Sequence, residues 1–118
     1  MDENALIALV RKAAAMAHFT GYFEYEDDEH LQSRIRSHPL LQQVGTPAEI
    51  RRIVLRCITG GGLVECRPEI RPQYQWKREF WFRVNVLIPG FPDPLFYELE
   101  LTEIDENDPN VAILNVHF

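Results

Sequence analysis

The chain has 118 residues, of which 46% are hydrophobic and 25% charged, and its formal net charge is −6. This size predicts a single domain over residues 1–118 with one core, and no apolar run reaches the ~18 residues of a membrane span. The overall negative charge argues against simple electrostatic capture of nucleic acid. The acidic N-terminus is unlike a secretory signal. The spacing of Cys57 and Cys66 matches no common zinc or redox motif. We therefore expect a cytoplasmic protein with reduced thiols.

Helical signals open the chain. Residues 3–19 place apolar side chains at spacings of three and four, which predicts a helix. An acidic connector, residues 22–29, leads to a short predicted helix over about 28–37. That helix is expected to end at His38, because a residue that precedes a proline avoids the α region.

A third helix has the clearest local signal. Thr46, Pro47 and Glu49 form a capping box with proline at the first helical position. An apolar stripe that starts at Ile50 follows, and three glycines come after Thr59. The pattern predicts a helix over residues 47–59.

The second half of the chain changes to strand periodicity. Apolar residues alternate over 80–88 and again over 95–102, and residues 111–118 form a short apolar run. A further strand over about 63–70 contains Pro68, which indicates an edge position. Helices followed by an antiparallel meander predict an α+β fold, in which N-terminal helices pack on one face of a four-stranded antiparallel sheet.

Charge is distributed unevenly along the chain. Residues 30–83 contain 10 Lys/Arg and 4 Asp/Glu, whereas residues 1–29 contain 2 and 7, and residues 84–118 contain 0 and 7. A middle segment of net +6 therefore lies between two acidic flanks. If folding gathers its arginines on one surface, that surface is an anion-binding face.

His30 and Arg34 are candidates for chemistry on an anion. They lie four residues apart and share one face of the short predicted helix, with His38 another four residues on. Metal-independent RNA cleavage needs an imidazole to move a proton and a guanidinium to stabilise phosphate charge. The alternative is an exposed helix whose polar side happens to contain these residues.

Basic residues alternate with aromatic ones from the third helix to the first hairpin. Such a pattern suits single-stranded nucleic acid, because rings stack on bases while cations hold phosphates. It suits equally a protein interface, or Arg–Glu cross-strand pairs on a solvated sheet face. The candidates for RNA binding are Arg52, Arg56, Arg71, Trp76, Lys77 and Arg78.

The acidic strand and the last histidine are weaker candidates. Glu98, Glu100 and Glu103 lack the Asp or His spacing of a metal site, so a solvated strand face is expected, with no metal and no cofactor. His117 ends the last strand. It is either part of a site that faces the helices or a frayed terminal residue.

The order of these features resembles the RelE-like and MqsR-like bacterial ribonuclease toxins of the barnase–colicin–RelE superfamily. The resemblance covers residues 28–118, and this chain differs in being acidic and in having only two lysines. The features that carry the resemblance are the His30-x-x-x-Arg34 helix, the capped helix, the arginine-rich hairpin 67–83, the strand Leu95–Leu101 and the closing strand Val111–His117.

The resemblance implies a small α+β endoribonuclease that cuts single-stranded RNA without a metal and is neutralised by an antitoxin-like protein. By position, it implies that His30 is the acid/base, that Arg34 and Arg83 bind phosphate, and that Tyr97 and His117 contribute from the sheet. The main alternative is a non-catalytic interaction module, immunity-like or adaptor-like, whose acidic flanks attract a basic partner. A homodimer through the outer sheet face, with Trp81, Leu87 and Phe96, is a further expectation.

Overall fold

Helices occupy the first half of the chain and strands the second. The computed structural model describes residues 2–20, 24–25 and 28–118, with the backbone alone for residues 18–20, 24, 25, 28, 30 and 31. Within these ranges the helices are α1 (Glu3–Thr20), α2 (Asp28–Ser37), α3 (Pro39–Val44) and α4 (Pro47–Thr59). The strands are β1 (Glu24–Tyr25), β2 (Glu65–Pro68), β3 (Phe80–Val86), β4 (Leu95–Glu103) and β5 (Asn110–His117).

The sheet confirms the predicted meander and adds one strand to it. Strands β2, β3, β4 and β5 pair antiparallel in sequence order, and β2 lies at an edge as Pro68 indicated. At the other edge, β1 pairs parallel with β5 through Glu24 and Ala112. Strand β1 lies in the segment predicted as an acidic connector, and two residues are too few to produce a periodic signal.

Local capping explains where α4 begins. The Oγ1 atom of Thr46 accepts a hydrogen bond from the Glu49 backbone N–H at 3.2 Å, and Pro47 occupies the first turn, so the predicted helix is confirmed. Pro39 ends α2 as predicted, but it also begins the short helix α3, which the sequence did not indicate.

The core lies between the helices and one face of the sheet. Helix α1 packs against α4, and both helices contact the sheet. Alternation in β3 and β4 turns Phe82, Val84 and Tyr97 toward the helices, where all three are fully buried. Buried side chains of the helices meet them there, among others Val10, Ala14, Ile50, Val54 and Ile58.

Two further expectations concern the cysteines and the membrane. Cys57 and Cys66 are free, half-buried thiols, as expected, and burial raises the pKa of both. Among the described helices, none has the length and apolar character needed to cross a bilayer.

Candidate functional site

The face of the sheet that points away from the helices carries the candidate site, and we call it the open face. Arg83 of β3 is opposite Glu98 of β4, and Phe96 of β4 is opposite His117 of β5. All four side chains are half-buried. The hairpin that joins β2 to β3 reaches this face, where Arg71 pairs with Glu98.

The hairpin segment, residues 69–79, is closed by a backbone hydrogen bond of 2.8 Å from Glu69 to Glu79. The guanidinium of Arg71 contacts two aromatic rings, with its carbon 5.2 Å from the centroid of Tyr74 and 5.6 Å from that of Trp81. This stacking holds the segment against β3 through cation–π contacts.

A network of ion pairs fixes the same segment to the sheet; we call it the glutamate–arginine network. Glu69 accepts hydrogen bonds from Arg71 and Arg78, each at 2.9 Å. Arg71 also pairs with Glu98 at 3.3 Å, and Arg78 pairs with Glu100 at 3.2 Å. The side chain of Glu69 has no exposed area and that of Arg78 is only 6% exposed, so these charges are largely removed from water.

The network determines the ionisation of its central carboxylate. Burial raises the pKa of Glu69, but the hydrogen bonds from Arg71 and Arg78 outweigh burial, so the pKa lies below its ordinary value. The pKa of Arg71 is raised, first by its hydrogen bond to Glu69. Glu69 and Arg71 therefore both stay charged near neutral pH.

The network also changes how the basic middle segment is to be understood. Two of the predicted RNA-binding cations, Arg71 and Arg78, are neutralised by three glutamates. Arg67, a further and exposed cation of the hairpin, pairs with Glu65 at 2.7 Å. The expected solvated glutamate face is wrong for Glu100, which is buried. The net charge of +6 in the sequence thus does not become a +6 surface in the fold.

Arg83 is the arginine of this face that has no carboxylate partner among the described residues. Its Nε atom is buried without a hydrogen-bond partner there, and its guanidinium carbon lies 4.5 Å from the centroid of the Phe96 ring. Arg83 also lines a groove of ≈ 420 Å³, together with Arg67, Arg71, Trp81 and Glu98. A half-buried guanidinium whose Nε atom lacks a partner is a candidate binding site for an anion.

His117 approaches the same phenylalanine. Its imidazole centroid lies 4.4 Å from that of Phe96, and its Nδ1 atom lies 3.3 Å from the carbonyl oxygen of Phe118. Donation from Nδ1 to that oxygen leaves a lone pair on Nε2 when the ring is neutral. We call Arg83, Phe96 and His117 together the open-face cluster.

The end of β5 also receives helix α2. The Nε atom of Arg34 donates to the carbonyl of Val116 at 2.9 Å, and the ring centroid of His38 lies 6.4 Å from that of Phe118. The side chain of His30, one helical turn before Arg34, lies outside the described residues.

Other predicted site residues lie elsewhere. Tyr97 is fully buried on the helix-covered face, where its hydroxyl donates to the Ile50 carbonyl at 2.6 Å. Arg52 and Arg56 are exposed on α4, in the helical layer. Trp76 is 82% exposed, and it and Lys77 lie in the hairpin segment. The predicted RNA-binding residues therefore do not share one surface.

Sequence reasoning missed the two residues that organise this face. Phe96 separates Arg83 from His117, and Glu69 joins the two hairpin arginines. Alternation in the strand placed Phe96 on the outer face, but its neighbours depend on register across three strands. Glu69 had a local signal, since Arg71 follows two residues later.

Neither a metal centre nor a known relative accounts for these residues. In the ranges that the structure describes, no three His, Cys, Asp or Glu side chains are grouped as metal ligands would be. Comparisons of the chain with protein-family models, with curated proteins and with solved structures find no match.

Proposed function

We propose that the protein binds single-stranded RNA at the open-face cluster and cleaves it without a metal ion. The observation that supports this most is Arg83, a half-buried guanidinium with no carboxylate partner among the described residues, separated by one ring from an imidazole. A phosphodiester is the anion that uses both groups, because its cleavage needs charge stabilisation and proton transfer at neighbouring atoms.

The chemistry assigns one task to each group. His117 Nε2 takes the proton of a ribose 2′-hydroxyl, whose oxygen attacks the adjacent phosphorus. Arg83 stabilises the negative charge that develops on the non-bridging oxygens. The 5′-oxygen leaves with a proton from a second acid, a task that the resemblance gives to His30, and the product ends in a 2′,3′-cyclic phosphate.

Neighbouring residues are proposed to position the substrate. Trp76 is exposed on a segment held by ion pairs, so it offers a face for base stacking at little entropic cost. Arg34 lies at the end of β5, where a second phosphate of the strand would pass. We assign the protein to the cytoplasm as part of the same proposal, since its two thiols are free.

The test is cleavage of a labelled single-stranded RNA in the presence of EDTA. We expect His117→Ala and Arg83→Ala each to slow cleavage at least 100-fold, with cyclic-phosphate ends on the wild-type product. The same oligonucleotide with 2′-O-methyl groups should remain intact. Arg36→Ala is the matched control, because Arg36 is exposed on α2 outside the cluster and this variant should cleave at the wild-type rate.

Two results would remove this proposal. One is the absence of cleavage by the folded wild-type protein on a mixed-sequence RNA, and the other is a rate unchanged by both substitutions. A loss caused by His30→Ala alone, with His117→Ala active, would place the acid/base on α2 and overturn the role of His117 as the base.

A non-catalytic interaction module is the second candidate. It is favoured by the glutamate–arginine network, which withdraws Arg71 and Arg78 from any anionic ligand. A second copy that packs through the outer sheet face, next to the exposed Leu87, belongs to this candidate. Expression separates the two candidates: a ribonuclease should arrest growth while His117→Ala does not, whereas an interaction module should leave growth unchanged in both cases.

A further inference from the structure

Two exposed arginines, Arg52 and Arg56, lie in the helical layer, away from the open face. A groove of ≈ 270 Å³ runs along α4 and is lined by Val44, Glu49, Arg52, Ile53 and Arg56. We call it the α3–α4 groove, since Val44 ends α3 and the other residues belong to α4.

The two arginines of this groove differ from those of the hairpin. Arg52 and Arg56 are exposed, and neither side chain makes a hydrogen bond or ion pair with another described residue. They lie four residues apart on a helix, so their backbones are separated by roughly 6 Å along its axis. Glu49, the carboxylate of the groove, is used by the helix cap, where it accepts from the Thr46 hydroxyl at 3.2 Å.

The floor of the groove is aliphatic. Ile53 of α4 and Val44 of α3 are half-buried, line the groove and pack against the core. Among the described residues, no aromatic side chain lines the groove. A nucleobase therefore has no ring to stack on here, whereas a branched aliphatic side chain finds apolar contact with Ile53 and Val44.

We infer that the α3–α4 groove binds an acidic protein segment, with two carboxylates on Arg52 and Arg56 and one aliphatic side chain against Ile53. Guanidinium groups pair with carboxylates in a bidentate geometry, and the aliphatic contact adds the burial that an exposed ion pair lacks. The partner is thus a protein that presents two acidic residues about 6 Å apart on either side of a leucine, isoleucine or valine. This inference is independent of RNA cleavage.

The test is a selection of displayed random 12-residue peptides on the whole protein, with counter-selection on the double variant Arg52→Glu/Arg56→Glu. We expect the enriched peptides to contain two acidic residues and one aliphatic residue. Synthetic copies should bind the wild type at least 10-fold more tightly than the double variant. The Arg36→Glu variant, in which an exposed arginine outside the groove is reversed, should bind them as the wild type does.

Reversing the charges of the peptide distinguishes a loss of ion pairing from a loss of folding in the double variant. Peptides in which the two acidic residues are replaced by lysine should regain binding to the double variant, which a merely unfolded groove would not allow. The inference is overturned if no enriched peptide depends on Arg52 and Arg56, or if Ile53→Ser leaves the affinity unchanged. It is also overturned if a 12-nucleotide oligouridylate, rather than any peptide, depends on the two arginines.

Discussion

At the scale of single residues, Glu69 determines the charge of the open face. Its carboxylate is fully buried and holds two guanidinium groups at 2.9 Å, which brings them next to Glu98 and Glu100. The segment that looked most basic in the sequence is thereby neutralised, and Arg83 is left beside it without a carboxylate partner among the described residues. Glu69 thus accounts for the difference between the paired arginines Arg71 and Arg78 and the candidate binding residue Arg83.

Removal of the Glu69 charge should destabilise the fold. Glu69→Gln leaves Arg71 and Arg78 without their shared carboxylate, and breaking a buried pair by removing one partner costs about 3 kcal/mol. Urea denaturation at neutral pH measures the change. Glu65→Gln, which disrupts an exposed pair with Arg67, should cost only about 0.5 kcal/mol. Equal effects of the two substitutions would contradict the burial argument.

The same carboxylate should produce a pH dependence. Because the pKa of Glu69 is lower in the folded protein than in the unfolded chain, its contribution is complete above the ordinary carboxyl pKa. That contribution is lost as the pH falls through the lower, folded value. The difference in unfolding free energy between wild type and Glu69→Gln should therefore shrink in acid. A difference that grows in acid would show that the pKa is raised instead.

At the scale of elements, the end of α4 is tied to α1. Arg11 of α1 donates to the Ile58 carbonyl at 3.1 Å and to the Gly62 carbonyl at 2.9 Å, which places a cation at the negative end of the helix dipole. Gly62 itself packs closely, since its N–H donates to the Cys57 carbonyl at 2.8 Å. This junction sets the path of the chain from the helical layer into β2.

Substitution of Gly62 should disturb this junction. A Cβ atom at position 62 would lie 2.7 Å from the carbonyl oxygen of Cys57 and closer still to its Sγ atom, so the backbone must shift. We expect Gly62→Ala to lower the unfolding free energy by about 2 kcal/mol. Leu63→Ala, at a neighbouring side chain that is 70% exposed, should change it by less than about 0.5 kcal/mol. Thermal or urea denaturation of both variants provides the comparison.

Elements with strong local signals were predictable, and those without them were not. The capping box located the start of α4, and alternation located β3, β4 and β5, because these signals lie within one segment. Helix α3 and strand β1 have six and two residues, which is less than a full pattern of either kind. Their formation depends on contacts with the rest of the fold rather than on their own sequence.

The candidate site was less predictable than the fold. His117 and Arg83 were named from a resemblance, but their shared neighbour Phe96 follows from strand register. The pairing of Arg71 with Glu98 joins residues 27 positions apart, so the charge pattern of the sequence could not reveal it. For the same reason the sequence left open whether the six predicted RNA-binding residues share one surface, and in the fold Arg52 and Arg56 lie in the helical layer.

At the scale of the whole molecule, the fold distributes the cations of the net +6 segment over different surfaces. RNA binding would be strongly sensitive to salt if six cations all held phosphates, namely Arg52, Arg56, Arg71, Lys77, Arg78 and Arg83. Because Arg71 and Arg78 are neutralised and the α4 arginines lie in the helical layer, the proposed site at the open-face cluster has cations for only one or two phosphates. The number of phosphates is therefore the quantity on which the proposed RNA site depends.

The salt dependence of RNA affinity measures that number directly. For single strands the slope of log K against log salt is about −0.7 for each phosphate neutralised. We predict a slope between about −0.7 and −1.4 for a single-stranded RNA, with a clear loss of affinity in Arg83→Ala. A slope near about −4, as six phosphate contacts would give, or an affinity unaffected by Arg83→Ala, would contradict the account.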